Sequence, residues 1–213
     1  LATNRDERIE RAADKPEIIE DDEVRIIAPR DRIEGEKRGL YTATNLDGVV
    51  VSITNRVSDV SGEGYKSRGL LVLKAASQSS ALEVRRAVEE EVRTHQYNNF
   101  NLLYADRETA GVLHYDSEQG QLVSHGLGRG VHVLTYTYVN DIGDERINLG
   151  LELLHGIEAL QIDGVVERLK QVCSTEDICR PSTLDTNIIA IQDPSTTSRN
   201  RYWHCNRTES PVK

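Results

Sequence analysis

No apolar run in the chain approaches the roughly 20 residues that a membrane-spanning helix needs. A charged segment followed by an apolar one, as in secretory leaders, is also absent. We therefore expect a soluble, cytoplasmic protein that does not span a membrane.

Aromatic residues are scarce, with one Trp, one Phe and eight Tyr among 213 residues. The core must therefore be built from Val, Ile, Leu and Ala. A chain of this length can bury one substantial core. We expect a single domain over residues 1–213.

Basic residues are in deficit. The chain has 26 Lys and Arg against 35 Asp and Glu, which gives a formal net charge of −9. Proteins that bind nucleic acid without sequence preference need a basic face that displaces counterions from the phosphates. The composition therefore argues against a nucleic-acid partner.

Patterns of metal ligands are missing as well. Three Cys (Cys173, Cys179 and Cys205) cannot all form disulfides, and they lack the paired C-x-x-C spacing of a zinc site. The six His, at positions 95, 114, 125, 132, 155 and 204, show no H-x-x-x-H spacing. We expect reduced thiols, no metal centre and no cofactor.

Met is absent altogether, although translation starts with one. We therefore expect that the numbered chain is not the whole primary product.

Alternating strand and helix signals run along the chain. Period-2 and β-branched segments predict strands at Glu23–Ala28, Leu40–Thr44, Val49–Thr54, Phe100–Ala105, Gly111–Tyr115, Gln121–Ser124, Gly130–Tyr136, Asn187–Ile191 and Arg201–His204. Helical spacing of apolar residues predicts helices at Ser80–His95, Asp144–Leu160 and Gly164–Val172, the last with Asp163 as its N-cap. This order of elements fits an α+β protein with two antiparallel sheets packed face to face and helices outside.

Four consecutive polar residues follow a short apolar start. Asn4 offers an amide, Arg5 a guanidinium fork, and Asp6 and Glu7 two carboxylates. Such a tetrad can hold an ammonium or another polar reacting group in a fixed place. The same residues also suit a solvated turn with a helix N-cap.

The tetrad and five later segments resemble the NRDE family, to which the transport and Golgi organisation protein 2 homologues belong. The segments that carry the resemblance, in family order, are Ile27–Asp31, Gly48–Arg56, Ser67–Leu73, Tyr97–Asp106 and Gly130–Thr135. The resemblance implies a branch of the N-terminal nucleophile (Ntn) hydrolases and hence an αββα sandwich of two antiparallel sheets flanked by helices. Because members of the family begin with Met-Cys followed by a strand, the resemblance also implies a further strand before Leu1.

In enzymes of that superfamily, the side chain of the exposed first residue attacks an amide carbonyl, and its own α-amino group acts as the base. The resemblance to choloylglycine-type amidases places Asp6 as the carboxylate beside the nucleophile and Asn55 as the oxyanion donor. Each residue also has a purely structural interpretation. Asp6 could form a salt bridge with Arg5 or Arg56, and Asn55 could cap local backbone at the end of its strand.

Further polar residues are assigned to substrate binding on the same basis: Asn4, Arg5, Glu7, Arg56 and Arg68. Arg68 also suits a surface ion pair.

Three features depart from the family pattern. Tyr136 stands where members commonly have Asn, Thr186 and Asn187 stand where they have Arg before a strand, and the segment from Arg38 to Asn45 lacks their Trp. Leu1 also has no nucleophilic group.

An Ntn-type hydrolase of a small amide or ester therefore requires a Cys, Ser or Thr upstream of Leu1. The alternatives are a non-catalytic protein that carries an amphipathic ligand, haem or an acyl lipid, in the same cleft, and a purely structural scaffold. The sequence leaves the oligomeric state open.

Overall fold

The computed structural model of the protein describes residues 1–5, 13–21, 24–30, 39–56, 64–175, 186–192 and 203–205. For residues 4, 5, 186–192 and 203–205 the description covers the backbone. The chain divides into two compact units. One comprises Leu1–Glu10 and Arg129–Lys213, and the other comprises Arg11–Gly128.

Strands and helices alternate along the chain. The strands are β1 Ala2–Arg5, β2 Glu17–Asp21, β3 Val24–Ala28, β4 Thr42–Asn45, β5 Val50–Asn55, β6 Phe100–Ala105, β7 Ala110–Asp116, β8 Gln121–Leu127, β9 Gly130–Leu134, β10 Thr186–Gln192 and β11 Trp203–Cys205. The helices are α1 Arg68–Ala76, α2 Ala81–Thr94, α3 Glu145–Leu153 and α4 Ile162–Ser174, with a 3-10 turn at Ile157–Ala159.

The larger unit is built on a seven-stranded sheet in which β2 to β8 lie in sequence order. Every neighbouring pair in it is antiparallel, as short connections between sequential strands favour. Helices α1 and α2 contribute Leu71 and Val88 to its core, which also contains Val51 and Leu102 from the sheet. The helix predicted at Ser80–His95 is confirmed. The strands predicted from Leu40 to Ser124 are confirmed as consecutive strands of this sheet, whereas the segment predicted as the next strand, Gly130–Tyr136, belongs to the other sheet.

Helix α2 has the pattern expected of a helix that covers a sheet. Its buried positions include Ala81, Val84 and Val88, at the three- and four-residue spacing of one helix face. The Ser80 hydroxyl accepts a hydrogen bond from the Glu83 amide at 3.3 Å and caps the first turn.

The smaller unit contains a four-stranded sheet in the order β11-β1-β10-β9. The β1–β10 and β10–β9 pairs are antiparallel, whereas β1–β11 is parallel. Helices α3 and α4 pack on this sheet, and its core includes Ala2, Val133, Ile147 and Leu169.

Two helix predictions in this unit are wrong in detail. The helix expected over Asp144–Leu160 ends at Leu153, because Gly156 adopts a positive φ of 73° and leads into the 3-10 turn. Asp163 is not an N-cap but lies in the first turn of α4, where its charge suits the helix dipole.

Two glycines allow the chain before β4 to touch the start of α1. A Cβ atom on Gly69 would lie 2.5 Å from the Cα of Gly39, closer than real Cβ atoms approach. Because both partners are backbone, Gly69→Ala is expected to destabilise the fold by about 2–3 kcal/mol in urea unfolding.

The matched control for this change is Gly126→Ala in β8. No atom lies within 4 Å of a Cβ at Gly126, so its effect should stay within about 0.5 kcal/mol. Equal effects of the two substitutions would show that the Gly39–Gly69 contact does not require glycine.

Candidate functional site

The start of the NRDE tetrad lies at one edge of the four-stranded sheet. Asn4 and Arg5 are the last residues of β1, which is an inner strand between β10 and β11. Asn4 is level with Asn187 of β10 and with Cys205 at the end of β11, and Arg5 is level with Thr186. We call this the β1 edge: the end of the sheet where β1, β9 and β11 finish and β10 begins.

Asp6 and Glu7, the carboxylates of the tetrad, lie outside the described residues. The side chains of Asn4 and Arg5 also lie outside the description. The chemistry assigned to these four residues therefore stays a prediction, and so does the proximity of Asp6 to Asn55.

A fixed group of polar side chains stands where the chain leaves β9. The Thr135 hydroxyl donates to Asp144 Oδ2 at 2.7 Å. Arg146 donates to the two oxygens of the same carboxylate at 3.2 and 3.1 Å. The guanidinium carbon of Arg146 lies 4.2 Å from the centre of the Tyr136 ring, a cation–π contact.

The charge state of Asp144 follows from these contacts. Burial alone would raise the pKa of its carboxyl, but hydrogen bonds from Arg146 and Thr135 outweigh burial and hold the pKa below its ordinary value. Asp144 is therefore ionised at neutral pH and anchors Arg146. Asp144 Oδ1 also accepts a hydrogen bond from the backbone amide of Arg146 and so caps the N-terminus of α3.

In the larger unit, three of the predicted site residues meet at the end of β5. Asn55 is level with Phe100 of β6. The Arg56 amide and Arg68 Nη1 both donate to the Asn99 carbonyl, at 3.1 and 2.9 Å. The Arg56 backbone and the Arg68 side chain thus share the carbonyl of Asn99, next to the strand pair of Asn55 and Phe100.

Neighbouring residues at this strand end project to different faces. Asn55 follows Val51 and Ile53, which lie in the helix-covered core, whereas Arg56 follows Thr54 on the opposite face. Asn55 and Arg56 therefore serve different surroundings.

A buried polar row crosses that opposite face, and sequence reasoning missed it. Asn101 Nδ2 donates to Thr54 Oγ1 at 3.1 Å, and Asn101 Oδ1 lies 2.6 Å from His114 Nδ1. The His114 and His125 rings are 5.1 Å apart, edge to face. Only the strand register could have revealed this row, because these residues become neighbours once β5 to β8 are paired.

His114 is neutral in the folded protein. Burial, and to a lesser degree the charges of His125 and Arg56, lowers its pKa to about 3. The Asn101 amide nitrogen donates to Thr54, so its oxygen accepts from the Nδ1–H of His114, which fixes the tautomer.

The low pKa of His114 predicts acid sensitivity. An unfolded His titrates at about 6.5, so the stability that neutral His114 provides is complete above that pH and is lost as pH falls towards 3. At pH 5 the loss is about 2 kcal/mol. Between pH 7 and pH 5, the free energy of unfolding measured in urea should therefore fall by about 2 kcal/mol less in His114→Gln than in the parent protein.

The exposed His155 provides the control. His155→Gln should keep the full acid sensitivity of the parent. If His114→Gln kept it as well, the low pKa of His114 would not contribute to stability.

Comparison with known proteins identifies the family. The family model for Transport and Golgi organisation 2 matches residues 1–204, nearly the whole chain. The chain belongs to this family. The NRDE resemblance read from the sequence is thereby confirmed.

The fold is similar to that of a solved structure. A Caenorhabditis elegans N-acylethanolamine-hydrolyzing acid amidase (NAAA) ortholog is similar with a TM-score of 0.58 and 12% sequence identity, over 92% of this chain and 88% of that chain. The α+β, Ntn-hydrolase-like fold class is confirmed. A search of curated proteins finds no match.

The described part of the chain also bears on metal sites and membrane spans. No group of three or more His, Cys, Asp or Glu there could hold a metal ion. None of the helices described combines the length and apolar character needed to cross a membrane.

Proposed function

We propose that this TANGO2-family protein is an Ntn-type hydrolase of a small amide or ester. Its nucleophile would be a Cys, Ser or Thr upstream of Leu1. The observation that supports this best is the Ntn-hydrolase-like fold over 92% of the chain, with the NRDE tetrad starting at the end of an inner strand. The amidase named in the comparison hydrolyses N-acylethanolamines, which supports an acyl amide as the substrate class.

The proposed chemistry follows from the position of the nucleophile at a chain terminus. An α-amino group titrates at about 7.7–8.0, close enough to neutral pH to accept the nucleophile's proton. The freed sulfur or oxygen attacks the carbonyl carbon and forms a tetrahedral intermediate. The ammonium then returns its proton to the leaving amine or alcohol, and water releases the acyl group.

In this scheme two residues carry out the supporting chemistry. Asp6 orients the α-ammonium by charge, and Asn55 donates to the oxyanion through its amide. Asn4, Arg5, Glu7, Arg56 and Arg68 are proposed to bind the substrate.

The remaining proposals concern the protein as a whole. Its partner is a small-molecule amide or ester, and its location is the cytoplasm. Residues 1–213 are proposed to form a single Ntn-hydrolase-like domain.

A non-catalytic carrier of an amphipathic ligand, haem or an acyl lipid, is the second candidate. The departures at Tyr136 and at Thr186–Asn187 favour it, because an Asn and an Arg of the family pattern are replaced there. Such a protein would bind its ligand at the β1 edge without turnover.

The test uses the full native chain. Intact-mass analysis gives the residue exposed after removal of the initiator Met, and 4-nitrophenyl octanoate and N-octanoyl-4-nitroaniline serve as probes. Hydrolysis that disappears when this residue is replaced by Ala would support the hydrolase. A natural Ala or Gly at that position, or turnover that survives the replacement, would rule out Ntn chemistry.

A further inference from the structure

Tyr136 directly follows the end of β9, which finishes at the β1 edge together with the start of the NRDE tetrad. Leu134 of β9 is level with Ile188 of β10, which is level with Thr3 of β1. Tyr136 lies two residues beyond Leu134, in the bend that follows β9. Because β10 lies between β9 and β1 and neighbouring strands are about 4.8 Å apart, the end of β9 is about 10 Å from β1.

The Tyr136 ring is held in place from one side. Arg146 stacks on it at 4.2 Å, and both oxygens of Asp144 fix Arg146. Thr135 in turn donates to Asp144. A chain of charged and hydrogen-bonded contacts thus fixes an aromatic side chain that is only partly buried, and such fixing is what a preorganised binding group requires.

The loop that carries Tyr136 is tied back to the sheet. Asn140 takes a left-handed conformation with φ of 57°. Its amide donates to the Val133 carbonyl at 2.9 Å, and its Oδ1 accepts from the Val133 amide, also at 2.9 Å. The position of Tyr136 is therefore fixed at both ends of a short loop.

The Tyr136 hydroxyl makes no hydrogen bond within the part of the chain that the structure describes. A phenol hydroxyl is both donor and acceptor, and a partly buried one usually has a partner. Here the contact to the ring is made by Arg146, which leaves the hydroxyl for a ligand.

We propose that Tyr136 contacts the substrate, with its hydroxyl donating a hydrogen bond to the carbonyl oxygen of an acyl ligand bound at the β1 edge. During hydrolysis that oxygen gains negative charge, so a fixed, uncharged donor stabilises it more strongly in the transition state than in the ground state. Arg146 and Asp144 are positioning residues in this arrangement. The inference rests on the proposed hydrolase function for its catalytic part.

The test compares Tyr136→Phe with the native full-length chain. The substitution removes one oxygen and keeps the ring under Arg146, so the melting temperature should not change. With 4-nitrophenyl octanoate, kcat is expected to fall about 100-fold while KM changes less than about threefold. Tyr136→Asn, which installs the amide common in the family, should retain kcat within about tenfold of the native protein.

The control is Tyr138→Phe in the same loop, which removes the same atom from a side chain that is 45% exposed. It should leave kcat unchanged. An equal loss in the Tyr136 and Tyr138 variants would show a general effect of the loop and overturn the assignment.

Calorimetric binding of octanoic acid separates this inference from the proposed function. Binding without hydrolysis, weakened at least tenfold by Tyr136→Phe, would refute the hydrolase and support Tyr136 as the ligand contact. Hydrolysis and binding that are both unchanged in Tyr136→Phe would overturn the inference alone. A native protein that neither hydrolyses the ester nor binds the acid would overturn both.

Discussion

Replacing Asp6 by Asn is expected to lower hydrolysis about a thousandfold. The side chain keeps its shape and part of its hydrogen bonding but loses the charge that orients an α-ammonium, and misplaced acid–base groups cost about 10²- to 10⁴-fold in rate. Stability should fall less than in Leu102→Ala, since Leu102 is fully buried in the core and its truncation costs about 2–5 kcal/mol. Turnover of 4-nitrophenyl octanoate and thermal melts measure the two effects.

Asp47 provides the matched control, because it is an exposed Asp in the turn between β4 and β5. Asp47→Asn should change neither rate nor melting temperature. The opposite result for Asp6→Asn, a large drop in melting temperature with full activity in the folded fraction, would mean that Asp6 is a buried partner of an Arg. Such a pair costs about 3–5 kcal/mol when broken, and the tetrad would then be architectural.

Local sequence pattern predicted most of the larger unit. Its strands are β-branched or alternate in polarity, and α2 carries a clear helical face, so each element could be recognised without its neighbours. Two elements were missed for physical reasons. The edge strand Glu17–Asp21 is half polar and mostly exposed, and α1 (Arg68–Ala76) is a short apolar run whose periodicity does not separate a buried helix from a buried strand.

The smaller unit was harder to predict, because its sheet joins segments from both ends of the chain. Strand β1 pairs with residues almost 200 positions away, and its parallel partner β11 has three residues. Such pairing depends on long-range register, which local propensity does not encode.

The candidate site likewise contains residues that the sequence could predict and contacts that it could not. The NRDE tetrad and Asn55 could be named from family resemblance, and Tyr136 stood out as a departure from it. The contacts of Arg146 with Tyr136 and Asp144 could not be predicted from the sequence. The cation–π contact and the ion pair both depend on the folded conformation of the loop between β9 and α3. The same holds for the row from Thr54 to His114.

Loss of the Glu91 carboxylate is expected to destabilise the larger unit strongly. Its carboxylate is 7% exposed and accepts hydrogen bonds from Lys66 at 3.0 Å, from Tyr97 at 2.8 Å and from Lys74. These bonds join α1 and α2 to the chain before β6. Burial alone would raise the pKa of Glu91, but the two lysines and the tyrosine outweigh it and lower the pKa to about 2.

Because three hydrogen bonds to a buried charge are lost, Glu91→Ala is expected to cost about 3 kcal/mol at pH 7, measured by urea unfolding. The folded pKa lies below the ordinary 4.5, so the contribution of the ionised carboxylate is complete above pH 4.5 and is lost as pH falls towards 2. The difference in free energy of unfolding between Glu91→Ala and the parent protein should therefore decrease as the pH falls from 4.5 towards 2. Glu91→Gln, which can still pair with Tyr97, should cost about half as much at pH 7.

Glu89 gives the comparison on the same helix, because its ion pair with Arg85 at 2.7 Å lies at the surface. Exposed pairs of this spacing contribute about 0.3–0.5 kcal/mol, so Glu89→Ala should be nearly neutral at every pH. If Glu91→Ala were equally mild, water would replace its partners without cost, and the packing of Leu71 and Val88 would hold the helices on the sheet by itself. If the Glu91→Ala deficit instead persisted unchanged at pH 2, its origin would be lost packing of the side-chain stem rather than lost charge.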